Sequence, residues 1–311
     1  MPGPITVNDM VDQVRDQLDE SNVEDVTPND ILQALNRGQR KAANILAKRV
    51  EDLLLDSTPV TSTGATSLAI PEEAYGRRVE QITVSRNALE YPLKRVPFRD
   101  LHKYTSSASV QVPSVYAFKG RDIIIKPTPT SGVVFNIWFT RAPETLVLQQ
   151  GRITSVSVAS SYVLVDDLGA DLTTSTSNLG AFVNLVDAQT GEIKVSLQVL
   201  SLTTASDKVA FKTSGLTLAS VYNRTIGVAI PTTVEVNDYI CAIQGTCVPD
   251  LPDACLDYVI QYAVYEIRRR MGEPVQDELV ALKELEKDLE SQWAGRESSK
   301  RIKNSARHWN R

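Results

Sequence analysis

Histidine is almost missing from this chain: His102 and His308 are the only two among 311 residues. That scarcity removes most routes to a metal centre or to general-base chemistry, because imidazole is the commonest ligand and base near neutral pH. Cysteine is nearly as rare. Cys241, Cys247 and Cys255 make an odd count at a spacing that fits no common zinc pattern. Cys241 could pair with Cys247, but free, partly buried thiols are the expectation. No apolar run approaches the roughly 20 residues that a membrane helix needs, and the opening MPGPITVNDMVDQ lacks the basic-then-apolar order of a signal peptide. Neither a nucleophile-elbow pattern nor a glycine-rich phosphate cradle occurs. Asp166 and Asp167 are adjacent, so on a strand they point to opposite faces. Glycoside hydrolysis needs two carboxylates facing one cleft, so a solvated loop is the expectation there. No catalytic residue, cofactor or metal site is assigned.

The net charge of −5 argues against a wholesale nucleic-acid coat, while an acidic lining would let DNA slide past without sticking. A length of 311 residues suffices for one large core or two moderate ones.

What is present reads as four regions. Thr6 and Asp9 give a capping-box start to a short helix with the stripe Val7, Met10, Val11, Val14 and Leu18. A loop around residues 21–26 leads to a long amphipathic helix predicted over Thr27 to Asp56. There Thr27 caps, Pro28 suits the first turn, and Asp30 faces the helix dipole favourably. Its stripe is Ile31, Leu35, Gly38, Ala42, Ile45, Leu46, Val50 and Leu53, and the opposite face carries Arg37, Arg40, Lys41, Lys48 and Arg49. That basic face reads either as wet surface or as a subunit contact against the acids of residues 279–292.

Strand and turn signals follow from Ser57 to about Gln150, with a strand at Val79, Ile82 and Val84 and a short helix within Leu93–Tyr104. A strand–turn–strand pair then pivots on Lys119-Gly120-Arg121, and a Pro-Thr-Pro-Thr-Ser-Gly link leads to a further strand. This predicts a β-meander. Residues 151–231 are rich in Ser and Thr and poor in charge. Strand-like runs lie at 152–158, 162–165, 181–186, 192–202, 208–212 and 225–230, with a hairpin turn at Asp187–Gly191. They predict an inserted small sandwich or barrel. A helix then starts at Pro252-Asp253, carries Leu256, Val259, Ile260, Ala263, Val264 and Ile267, and stops near Met271-Gly272. A last helix carries Val275, Leu279, Leu282, Leu285, Leu289 and Trp293 on one face. From Gly295 the chain is polar and basic, with Arg296, Lys300, Arg301, Lys303, Arg307 and Arg311 against Glu297 alone, and with Ile302 and Trp309 as odd residues for a solvated tail. The tail reads as a docking arm for a protein, a disordered end, or a nucleic-acid arm.

The fold class is therefore α+β: N- and C-terminal helices forming a helical bundle, a β-meander, and an inserted all-β domain. The expected organisation is 1–150 with 232–295 as core, 151–231 as insert, and 296–311 as a mobile basic arm.

The segments ILQALNRGQRKAANIL, LAIPEEA, VEQITV, EYPLKRVPFRDL, VYAFKGRDIIIKPTPTSGVVFNIWFTRAPETL and PDLPDACLDYVIQYAVYEIRRRMGE, taken in this order, resemble the head-to-tail adaptor (connector) proteins of tailed bacteriophages, the short-tailed type in particular. The resemblance covers roughly 5–150 and 235–295, and 151–231 departs from the plain pattern. It implies a virion protein at the head–tail junction, assembled in the host cytoplasm as a ring of twelve copies under the portal. The C-terminal arm would grip the portal protein, a tail or nozzle protein would bind below, and double-stranded DNA would pass without sequence-specific binding. One alternative is a tail or fibre-attachment protein whose insert binds a glycan, which exposed aromatics among Tyr162, Phe182, Phe211 and Tyr222 would favour. A cell-wall hydrolase using Asp166 or Asp167 ranks last.

Overall fold

The computed structural model describes residues 5–18, 26–47, 54–71, 74–86, 89–104, 113–168, 182–213, 220–221 and 224–306, the last stretch from 293 as backbone alone. The same four-residue device starts both N-terminal helices, α1 (Val7–Gln17) and α2 (Pro28–Ala47). In Thr6–Asp9 and in Thr27–Asp30 the threonine oxygen accepts the aspartate N–H, and the aspartate carboxylate accepts the threonine N–H. Two orphan donors are satisfied each time. α1 buries Val7, Met10, Val11 and Val14, and α2 buries Ile31, Leu35, Ala42, Ile45 and Leu46.

The predicted reach of α2 to Asp56 is corrected, because Leu55 and Asp56 already sit in a strand opposite Thr140 and Phe139. The run Ser-Thr-Pro-Val-Thr that follows is β-branched and proline-interrupted, which suits an edge strand better than a helix. Val50 and Leu53 lie outside the described residues.

The chain divides into two compact units, one of Leu46–Ala142 with Trp293–Arg311 and one of Met1–Ile45 with Pro143–Gln292. In the first, β1 (Leu55–Thr61), β3 (Ala74–Arg86), β4 (Leu89–Pro92) and β8 (Val134–Arg141) form one sheet in the order β1-β8-β3-β4. The other sheet contains β2 (Ser67–Ala69), β5 (Lys94–Arg95), β6 (Val115–Lys119) and β7 (Asp122–Lys126), in the order β2-β7-β6-β5. Val79, Ile82, Val84, Phe135, Ile137 and Phe139 of the first sheet share a core with Leu68, Tyr116, Ile123 and Ile125 of the second. Each fully buried Ile or Phe contributes about 1.5–3 kcal/mol relative to leaving it in water. This is a sandwich, which corrects the predicted meander. The β6–β7 hairpin does turn on Gly120-Arg121, but the proline-rich link after Lys126 carries the chain into the opposite sheet.

The second unit holds a closed barrel. β9 (Gln149–Ser157), β10 (Tyr162–Val165), β11 (Phe182–Val186), β12 (Ile193–Thr203), β13 (Lys208–Phe211) and β16 (Tyr239–Ala242) pair antiparallel in the order β11-β16-β9-β10-β13-β12, and β12 returns to β11. Closure leaves no free edge among these six. Short strands β14 (Ser220–Val221) and β15 (Arg224–Gly227) extend from β12. Ile153, Val163, Val183, Leu185, Leu197, Val199, Val209, Phe211 and Ile240 fill the interior. The barrel draws on residues 149–150 and 239–242, outside the 151–231 boundaries expected from composition.

Outside the barrel wall, residues 243–248 form a strap. Asn184 donates to the carbonyls of Ile243 and Gly245 and accepts from the Ser196 hydroxyl at 2.7 Å. The Val7 N–H donates to the Cys247 carbonyl and the Val147 N–H to that of Thr246, both at 2.9 Å, so the strap also holds α1.

Two helices close the described chain, α3 (Leu256–Met271) and α4 (Gln276–Ala306). Gly272, at φ 79°, ends α3 in the left-handed region. α2 lies so close to α3 that a β-carbon on Gly38 would stand 2.9 Å from the Val259 carbonyl oxygen. The helix does not stop at Gly295: α4 continues through it to Ala306, where a mobile tail was expected. One interior glycine costs about 1 kcal/mol, which the helix-forming Arg, Glu and Lys around it offset. The fold class is α+β, as predicted.

Candidate interaction surfaces

The basic face of α2 divides by partner. Arg37 Nη1 donates to Glu266 Oε1 on α3 at 2.5 Å, and Arg270 reaches the same oxygen at 3.3 Å. Burial alone would raise the Glu266 pKa, but the Arg37 hydrogen bond and the charges of Arg37, Arg270 and Arg269 hold it below the ordinary glutamate value. Arg37 is therefore engaged within the chain, whereas Arg40 and Lys41 are exposed. Lys48 and Arg49 lie outside the described residues.

Of the C-terminal residues singled out, Arg296, Lys300, Arg301, Ile302 and Lys303 fall on the helical backbone of α4. Arg307, Trp309 and Arg311 lie outside the described residues, as does His308.

The other candidates have local roles. Asp166 Oδ1 accepts the N–H of Arg152 at 2.7 Å and that of Asp167 at 2.8 Å. His102 is exposed, with Nδ1 at 2.7 Å from the Arg99 carbonyl oxygen. All three cysteines are free and fully buried, deeper than expected, and burial pushes the Cys255 thiol up to about 12. Of the barrel aromatics, Phe211 is inside the core and the ring of Tyr162 carries the Lys208 ammonium 4.0 Å from its centroid. Phe182 is half-buried, and Tyr222 lies outside the described residues. Among the described residues no group of three or more His, Cys, Asp or Glu is placed to hold a metal, and no helix is long and apolar enough to cross a membrane.

Three features escaped the sequence reading. Lys194 bridges Asp187 Oδ2 at 2.7 Å and Asp238 Oδ2 at 2.8 Å, joining the β11–β12 turn to the loop before β16. Arg268 on α3 pairs with Glu278 on α4 and donates to the Gln17 carbonyl of α1 at 2.8 Å. The third is a basic and aromatic surface on the sandwich at Lys94, Phe98, Arg99, Lys119 and Arg121. The Lys194–Asp238 pair spans 44 residues and the Arg268–Gln17 hydrogen bond 251, which no local pattern reveals, but the density of cations after residue 93 was readable.

A family model described as SU10 adaptor protein matches residues 5–189, more than half of the chain. The match begins at the capping box of α1 and ends in the turn after β11, so it includes half of the stretch that was expected to depart from the family. The protein is thus of the adaptor class, a structural component of the bacteriophage virion at the join of head and tail. Within that class the chain belongs to the SU10 adaptor protein family. Membership implies contacts with portal and tail proteins in general. No curated protein matches the chain.

Proposed function

We propose that twelve copies of this chain form a ring beneath the portal vertex, joining capsid to tail and continuing the channel through which double-stranded DNA passes. Family membership carries this reading. In it, the terminal helices pack as a bundle that makes the ring body. The 296–311 segment reaches the portal protein through its cations and Trp309. Arg40 and Lys41, together with Lys48 and Arg49, meet the acids of residues 279–292 in the neighbouring copy. The sandwich and barrel face the tail or nozzle protein, the barrel serving as a decoration on the core. The work is binding alone, with no reaction step.

Fixing a backbone residue costs about 1–2 kcal/mol, so an arm already helical through Ala306 gives up less chain entropy on docking than a disordered tail would. The native mass of the free protein, alone and mixed with the portal encoded in the same genome, tests the reading. The expected outcome is a monomer that becomes a defined ring on the portal. Absence of association at every mixing ratio would overturn it.

A further inference from the structure

Residues 94–126 invert the charge of the chain, with seven Lys and Arg against two Asp in a protein of net charge −5. The sandwich gathers these cations about β5, β6 and the 3-10 segment Phe98–Tyr104. β5 runs parallel to β6, with Lys94 opposite Val115 and Arg95 opposite Tyr116. The Arg95 guanidinium lies 4.8 Å from the centroid of Phe118. The next residue, Lys119, ends β6, and its ammonium lies 5.8 Å from the centroid of Phe98. Arg121 occupies the two-residue turn that follows.

Strand alternation and packing produce this arrangement. Val115 and Ala117, on the Lys119 face of β6, pack with Val96 and with Leu101 of the 3-10 segment, while Tyr116 and Phe118 turn to the sandwich core. Lys94, Arg95, Phe98, Arg99, Lys103, Lys119 and Arg121 are all exposed. Asp100 holds Lys103 at 2.8 Å, whereas the other five cations make no salt bridge among the described residues.

We propose that this surface binds the phosphate backbone of duplex DNA without regard to sequence. Unpaired cations at Lys94, Arg99, Lys119 and Arg121, spread over β5, the 3-10 segment and the end of the β6–β7 hairpin, suit a line of phosphates. The Phe98 ring holds Lys119 in place through a cation–π contact, while Arg95, over Phe118 on the other face of β6, lies apart from this surface. The inference goes beyond the ring reading and stands without it, since it needs only the charge and geometry of the sandwich.

Fluorescence anisotropy of a labelled 30-base-pair duplex with the full-length protein tests the proposal. Neutralising about four phosphates gives a log–log salt slope near −3.6, so affinity should fall on the order of 100-fold between 50 and 200 mM salt. The combined Lys94→Ala, Arg99→Ala, Lys119→Ala and Arg121→Ala variant should flatten that slope. The exposed α4 pair Lys283→Ala and Lys287→Ala should leave it unchanged. Arg121→Glu alone, at an exposed turn, should reduce the slope by about one, which keeps the test decisive if the combined variant folds poorly. No binding at 50 mM salt, or equal binding by the patch variants, would overturn the proposal. Tighter binding of poly-glutamate than of the duplex would also overturn it and make the surface a dock for an acidic protein. Any of these failures leaves ring assembly on the portal untouched, so the two readings fail separately.

Discussion

Gly245 approaches Thr145 so closely that a β-carbon on the glycine would stand 1.8 Å from the threonine carbonyl oxygen. That oxygen already accepts the Thr246 N–H at 2.9 Å, and the Gly245 carbonyl accepts from Asn184 at 2.8 Å. The strap is pinned by the Thr145 backbone on one side and by the buried Asn184 side chain on the other, so it has nowhere to shift.

Gly245→Ala should therefore cost about 3 kcal/mol or more, at the upper end of overpacking effects. A chemical-denaturation midpoint equal to that of the unaltered protein would remove the steric argument.

The Arg37–Glu266 pair couples stability to acid. A carboxylate whose folded pKa is depressed stabilises above its unfolded value, near 4.3, and loses that contribution as pH falls through the folded value. Arg37→Ala should cost about 1–2 kcal/mol at pH 7, a modest figure because half of Arg37 remains in water. The difference should shrink below about pH 4. Urea midpoints at pH 7 and pH 3.5 decide, and an equal loss at both would show that the charge of Glu266 is not what Arg37 supports.

Lys194 sits between two carboxylates in the barrel unit, with its side chain 13% exposed and that of Asp238 only 4%. Burial works against both charges, yet Lys194 and the N–H groups of Thr190 and Gln189 hold the Asp187 carboxyl well below its usual range, while Asp187 and Asp238 raise Lys194. The aspartate contribution is present above about pH 3.9 and lost on further acidification; the lysine contribution is present below about pH 10.4 and lost as pH rises through the raised value. Lys194→Met should cost about 3 kcal/mol at pH 7 and recover part of it toward pH 4, as the stranded Asp187 carboxylate takes up a proton. Thermal melts across that range give the sign, and a variant that weakens further on acidification would contradict it.

Removing residues 296–311 should leave the melting temperature within a few degrees while abolishing association with the portal. The informative measurement is native mass with and without portal protein, and undiminished ring formation by the shortened chain would relocate the portal contact.

Local chemistry was legible in the sequence, and long-range pairing was not. Thr6/Asp9 and Thr27/Asp30 announce their helices because a capping box is complete within four residues. Lys119-Gly120-Arg121 and Asp187–Gly191 likewise contain their whole turn, and the latter shows it in the N–H bonds of Gln189 and Thr190 to Asp187. Strands β10 to β13 fall within a residue or two of their predicted limits. Barrel closure, by contrast, depends on Tyr239–Ala242, four residues whose partners lie at Val183–Val186 and Gln149–Arg152. The sandwich escaped for the same reason: nothing local says that β8 leaves the sheet of β6 and β7. At Gly295 the glycine and the change of composition suggested an end, but neither breaks a helix by itself. As for the surfaces, the α2 cations were seen, but the engagement of Arg37 by a residue 229 positions away was not.

The sandwich strands are continuous in sequence, while the unit of helices and barrel is assembled from both ends of the chain. During synthesis α1 and α2 therefore emerge first and wait some 200 residues for α3, roughly 10–40 seconds at ribosomal speed. Through that interval the stripe of Ile31, Leu35 and Ala42 has no α3 to cover it, a standing invitation to chaperones. The parts of each subunit made earliest are thus among the last to be sheltered.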